Sequence, residues 1–61
     1  MSYKVIITYR DGSGKENSES VSLTALTEKD ANTQCHFNRE YAEKKHGKAN
    51  IISIELKKKG A

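Results

Sequence analysis

One helix-patterned stretch, residues 28–46, stands after two strand-patterned stretches and before a third. That order, ββαβ, constrains the fold more than any other feature. It gives nearly every residue a place in a scaffold and leaves few over for chemistry. The strand patterns cover residues 3–10, 19–27 and 50–58. In the first, Tyr3, Val5, Ile7 and Tyr9 alternate with Lys4, Ile6, Thr8 and Arg10, the period of two that marks a strand with one apolar face. Asp11-Gly12-Ser13-Gly14-Lys15 follows, which is turn chemistry, and its length predicts a hairpin loop with a bulge. The second strand sets Val21, Leu23 and Ala25 against Ser20, Ser22 and Thr24.

Both helix ends are marked independently. Thr27 fits the N-cap, with its hydroxyl accepting from the Asp30 N–H and Asp30 partly reciprocating. Gly47 fits the left-handed residue that closes a helix. Glu28 and Asp30 suit the positive end of the helix dipole, and Lys44, Lys45 and His46 the negative end. Ala31, Cys35 and Ala42 form a narrow stripe of small residues for close contact with a sheet. Phe37 and Tyr41 are expected to pack along one flank, and Gln34 and Asn38 need partners or exposure. In the last strand Ile52, Ile54 and Leu56 face one way, and Ile51, Ser53, Glu55 and Lys57 the other.

An up-down-up-down path lets the third strand pair antiparallel with the first. The expectation is an α+β domain, a three-stranded antiparallel sheet of order 2-1-3 with one helix on one face. The alternative sets the third strand parallel beside the second. The helix-covered face carries Val5, Ile7, Val21, Leu23, Ile52, Ile54 and Leu56. The open face carries Lys4, Ile6, Thr8, Ser20, Ser22, Thr24, Ile51, Ser53 and Glu55, and antiparallel sheets tolerate one wet face.

At 61 residues the chain makes one domain, and a domain this small buries only roughly 60% of its unfolded surface. With 34% hydrophobic residues and no Trp the core is thin, so a dimer or partner would add stability. Cys35 is the lone cysteine, so no bridge forms within one chain. Small secreted domains usually carry several, and a single thiol points to the reducing cytoplasm. No run approaches the roughly 18 apolar residues of a membrane helix, and the N-terminus lacks signal-peptide pattern.

The net charge of +3 is unevenly spread. Residues 1–42 hold five Lys/Arg against six Asp/Glu, a balance of −1; residues 43–61 hold six Lys against two Glu, a balance of +4. The layout gathers Arg10, Lys15, Lys44, Lys45, His46 and Lys48 at one end, diluted by Asp11, Glu16 and Glu43. Such an end could contact phosphates, but no aromatic on the polar sheet face is placed to stack bases.

Metal and catalytic motifs fail on chemistry. Cys35 and His36 are adjacent and point about 100° apart on a helix; with His46 they fall short of the four ligands of structural zinc. A nucleophilic Cys35 lacks a base and a cleft. Gly12-Ser13-Gly14-Lys15 lacks the spacing of a phosphate loop and leads into a strand. No cofactor is implied. Ala25 to Ala31, followed later by Ile52-Ser53-Ile54-Glu55, resembles many small ββαβ proteins in layout, which implies no activity.

The expected role is a non-catalytic protein-interaction module. Its partner is a second copy or another protein, met at the second strand's edge through Ser20, Ser22 and Thr24 or at the open sheet face. That edge carries no Lys, Arg or Pro, whereas the third strand ends in three lysines that blunt its edge. The competing reading is a weak nucleic-acid binder using Arg10, Lys15, Lys44, Lys45 and Lys48.

Overall fold

The structure, a computed structural model, describes residues 2–59. The chain forms β1 (Ser2–Arg10), β2 (Glu16–Leu23), α1 (Glu28–His46), a 3₁₀ turn (Lys48–Asn50) and β3 (Ile51–Lys59). β1 is central and antiparallel to both neighbours, so the sheet order is β2-β1-β3 and the architecture is ββαβ. The most apolar strand takes the middle because only there does its whole inner face stay dry. Val5 and Ile7 are fully buried, and Tyr3, Leu23, Ala25, Ala31 and Ala42 complete the buried core. Each fully buried aliphatic side chain contributes about 1.5–3 kcal/mol. The small Ala31 and Ala42 let α1 lie close to β1 and β3, with Cys35 packed at the margin. No helix among the described residues is long and apolar enough to cross a membrane.

The hairpin loop explains why β2 starts at Glu16 and not at Ser18 or Glu19. Asp11 N–H donates to Lys15 O and Gly14 N–H donates to Asp11 O, both at 2.9 Å. Gly14 supplies the positive φ, 81°, that the closing bulge of a three-residue loop requires. The Asp11 carboxylate accepts four bonds: Ser13 N–H at 2.9 Å, the Ser13 hydroxyl at 2.6 Å, Lys15 N–H at 3.0 Å and the Asn17 amide at 2.7 Å. Pairing therefore begins at once, with Arg10 opposite Glu16.

β2 ends at Leu23, four residues short of the boundary expected at 27. Leu23 pairs with Tyr3, next to the start of β1, and the chain then turns to bury Ala25. Thr24 thus lies outside the strand and is not an edge residue. Thr27 caps α1 as expected, its Oγ1 accepting from Asp30 N–H at 3.2 Å. The reciprocal bond from Asp30 is absent among the described residues, since the Asp side chain is one methylene shorter than the Glu of a full capping box.

At the other end Gly47 has φ 89° and ψ 129°. Its φ is positive as expected, but its ψ lies outside the left-handed helical region, because the chain extends directly into the 3₁₀ turn. Gly47 N–H donates to Glu43 O at 3.0 Å, and the Asn50 amide donates to His46 O at 2.7 Å. Asn50 is thus a cap, and β3 begins one residue after it.

A register shift between Thr8 and Tyr9 overturns one expected facing. Thr8 pairs with Ser53, but Tyr9 pairs with Ile51, leaving Ile52 as the extra residue of a bulge. Ile51 packs against the core, whereas Ile52 is 43% exposed. Ile54 and Leu56 keep their expected places. Phe37 and Tyr41 also depart from expectation: at 61% and 60% exposure they pack against little. The alanine stripe that draws α1 toward β1 and β3 leaves its β2-side flank without a floor. Asn38 finds its partner on its own helix, donating to Gln34 O at 2.8 Å.

Candidate functional site: the β2 edge and the basic end

Asp11 and Lys15 form a hydrogen-bonded pair, and antiparallel ladders alternate such pairs with non-bonded ones. Counting inward from this pair, Asn17, Glu19, Val21 and Leu23 aim their backbone groups at β1. Glu16, Ser18, Ser20 and Ser22 therefore aim theirs outward. Among the described residues no strand pairs with that side of β2. Ser20 and Ser22 are the edge positions expected from sequence; Ser18 joins them and Thr24 drops out. All three serine side chains are exposed and share the open face.

The two sheet edges are unlike. β3 carries the bulge at its start and Lys57 and Lys58 toward its end, both devices that discourage another strand. β2 carries neither. The Lys45 Nζ lies 3.8 Å from Glu19 Oε2 on β2, and the Arg39 and Glu43 side of α1 lines a groove with the start of β3, so the α1 flank bearing Lys45 is the β2 side. Tyr41 precedes Lys45 by one turn on that flank, with the Lys45 ammonium 5.7 Å from its ring centre, whereas Phe37 lies about 80° further round the helix and away from the sheet. The bare edge and the exposed Tyr41 thus lie on one side of the molecule.

The basic end is more neutralised than its composition implies. The His46 ring stacks on Tyr9 at 3.6 Å between centroids, 13° from parallel, which brings the end of α1 to the end of β1. Its Nε2 lies 3.1 Å from Glu19 Oε1; a carboxylate only accepts, so this nitrogen carries the proton. Arg10, Lys15, Lys44 and Lys48 are exposed at the same end, and Lys45 is engaged with Glu19. Asp11 sits among them with its carboxyl lowered to about 2, first by the Ser13 hydroxyl and then by the Asn17 amide. Its charge persists into acid.

A second basic group, absent from the sequence reading, appears at the opposite end. Lys4 lies directly across from Lys57 and Tyr3 across from Lys58. Only the register reveals it, since these residues are more than fifty apart in the chain. The Lys57 Nζ relieves part of the repulsion by lying 3.7 Å from Glu55.

Cys35 is half-buried against the core, while His36 is exposed and 3.5 Å from Glu40. Among the described residues no three His, Cys, Asp or Glu side chains gather into a metal-binding set. The groove between α1 and β3 is lined by Arg39, Glu43, Lys48 and the start of β3. Comparison with protein-family models, curated proteins and solved structures finds no match to this chain.

Proposed function

We propose that this protein is a non-catalytic interaction module that takes up a partner's strand at the β2 edge. The observation that carries the reading is the outward-facing backbone of Ser18, Ser20 and Ser22 on an edge that has neither a lysine nor a bulge between Glu16 and Leu23, its inward Glu19 being paired with α1. An added strand would satisfy those groups and gain main-chain hydrogen bonds. The exposed Tyr41 would overhang it and supply apolar contact. The single free cysteine fits a cytoplasmic setting for such a module.

The test is association measured by light scattering and by pull-down, comparing the native chain with Ser22→Pro and Ser22→Ala. Proline removes one outward donor and obstructs the edge, so S22P should lose association that S22A keeps. A chain that stays monomeric at high concentration and recovers no partner would sink the reading.

Nucleic-acid binding at the basic end is the second reading, favoured by the meeting of Arg10, Lys15, Lys44 and Lys48 at one end. It expects binding to mixed-sequence nucleic acid that falls steeply with salt and weakens on replacing Lys44, Lys45 and Lys48 by Ala. No binding at low salt removes it.

A further inference from the structure

Resting on the β2-edge reading, we infer that the occupant of the edge is a second copy of this chain, paired β2 to β2 antiparallel with Ser20 on the two-fold axis. Outward backbone groups belong to the even-numbered residues of β2, so hydrogen-bonded pairs across the interface join even residues to even ones. Few symmetric registers remain. Centring on Glu19 sets two carboxylates directly opposite each other in a close, non-bonded pair, which is destabilising. Centring on Val21 or Ser22 pushes pairing past Leu23, where β2 ends. Centring on Ser18 does the same at the loop end and sets Lys15 against Val21.

With Ser20 on the axis, pairing runs from Asn17 to Leu23 of each copy, within the strand at both ends. Ser18 then faces Ser22 of the second copy, Ser20 faces its own counterpart, and Glu19 faces Val21. Glu19 keeps its own partners on α1, the Lys45 ammonium and the His46 ring N–H. Each open-face pair is hydroxyl against hydroxyl. A hydroxyl both donates and accepts, so such pairs suit a symmetric interface. Both helices fall on the same face of a six-stranded sheet, with Tyr41 of each on the side of the seam. The core of the single chain is thin, with Val5 and Ile7 its fully buried large side chains, and doubling the sheet extends it.

The experiment places single cysteines on β2 in a Cys35→Ala background and adds oxidised glutathione as the oxidant. S20C should give a disulfide-linked dimer, because the paired residues lie within about 4.4–6.8 Å between Cα atoms. S18C and S22C alone should not, since each is then displaced from its counterpart by roughly 14 Å along the strand. The double variant S18C/S22C should link again. In parallel, amide exchange of the unsubstituted chain should slow with concentration at Ser18, Ser20 and Ser22. Equal linkage by all three single variants, or none, overturns the inference. If association persists without S20C linkage and S22P abolishes it, the register falls while the edge reading stands. If S22P leaves association intact, both fall. A chain whose Ser18, Ser20 and Ser22 amides exchange equally at all concentrations refutes the second copy as partner, whatever another protein does at that edge.

Discussion

Asp11 is only partly exposed, and the hydrogen bonds it accepts, from the Ser13 hydroxyl first and the Asn17 amide next, hold its carboxyl at about 2, against an ordinary 3.8. An acid with a depressed folded value contributes its stability fully above the unfolded value. It loses that contribution as pH falls through the folded one. The native chain should therefore lose stability between about pH 4 and pH 2 in a way that Asp11→Asn does not. Chemical denaturation across that range, beside an NMR titration of Asp11, checks it; identical acid limbs in the two proteins would refute the clamp. At the centre of the sheet, Ile7→Ala should cost about 2–5 kcal/mol, because a fully buried side chain leaves a cavity between β1 and α1. A urea midpoint shift well below that would mean the site collapses. The alternation from Tyr3 to Tyr9 was legible because four apolar residues in phase admit one facing only. Ile51 and Ile52 were not, because two identical neighbours suit the core equally and the bulge decides between them. Asn17's role was hidden too, since its amide acts through a loop contact that no periodicity records.

Helix ends were readable as elements because their signals are local. Thr27 and Gly47 announced α1 at both limits, and Thr27 bonds as a cap should. The φ of Gly47, 89°, is one that L side chains rarely adopt, and a Cβ there would stand 3.1 Å from the Asn50 amide nitrogen. Gly47→Ala should therefore cost about 1–3 kcal/mol, mostly as backbone strain. Thr27→Ala should cost about 0.5–2 kcal/mol by leaving the Asp30 N–H to water. Thermal melts of both variants test the ranking, and a neutral Gly47→Ala would overturn the strain argument. Strand limits were less readable, for a reason of geometry. A strand lasts only while a neighbour pairs with it, and Leu23, opposite Tyr3, is the last residue of β2 with a β1 partner, although Ala25 continues the apolar alternation. Residue types within β2 carry no trace of that limit. Phe37 and Tyr41 misled for a related cause. Their flank faces a side of the sheet on which α1 does not rest, which depends on where the helix settles.

The whole molecule is thin, about 37 × 20 × 13 Å, one helix laid on one sheet. A second copy at β2 would bind only the folded chain, so the melting temperature should rise with protein concentration, and Ser22→Pro should flatten that dependence. Scanning calorimetry at several concentrations reads this directly; a concentration-independent midpoint in the native chain counts against dimerisation. The fold was legible at this scale because ββαβ order with short connections leaves few ways to close a sheet. The edge was legible only in part. The lack of Lys, Arg and Pro marked Ser20 and Ser22, but which backbone groups point outward follows from the Asp11–Lys15 pair. That same loop has a kinetic consequence. Its bonds join residues at most six apart, so the first hairpin can close before the helix exists, whereas β3 must search across the intervening chain for β1. Loosening the loop should slow the refolding rate, while trimming Ile54 or Leu56 should chiefly hasten unfolding.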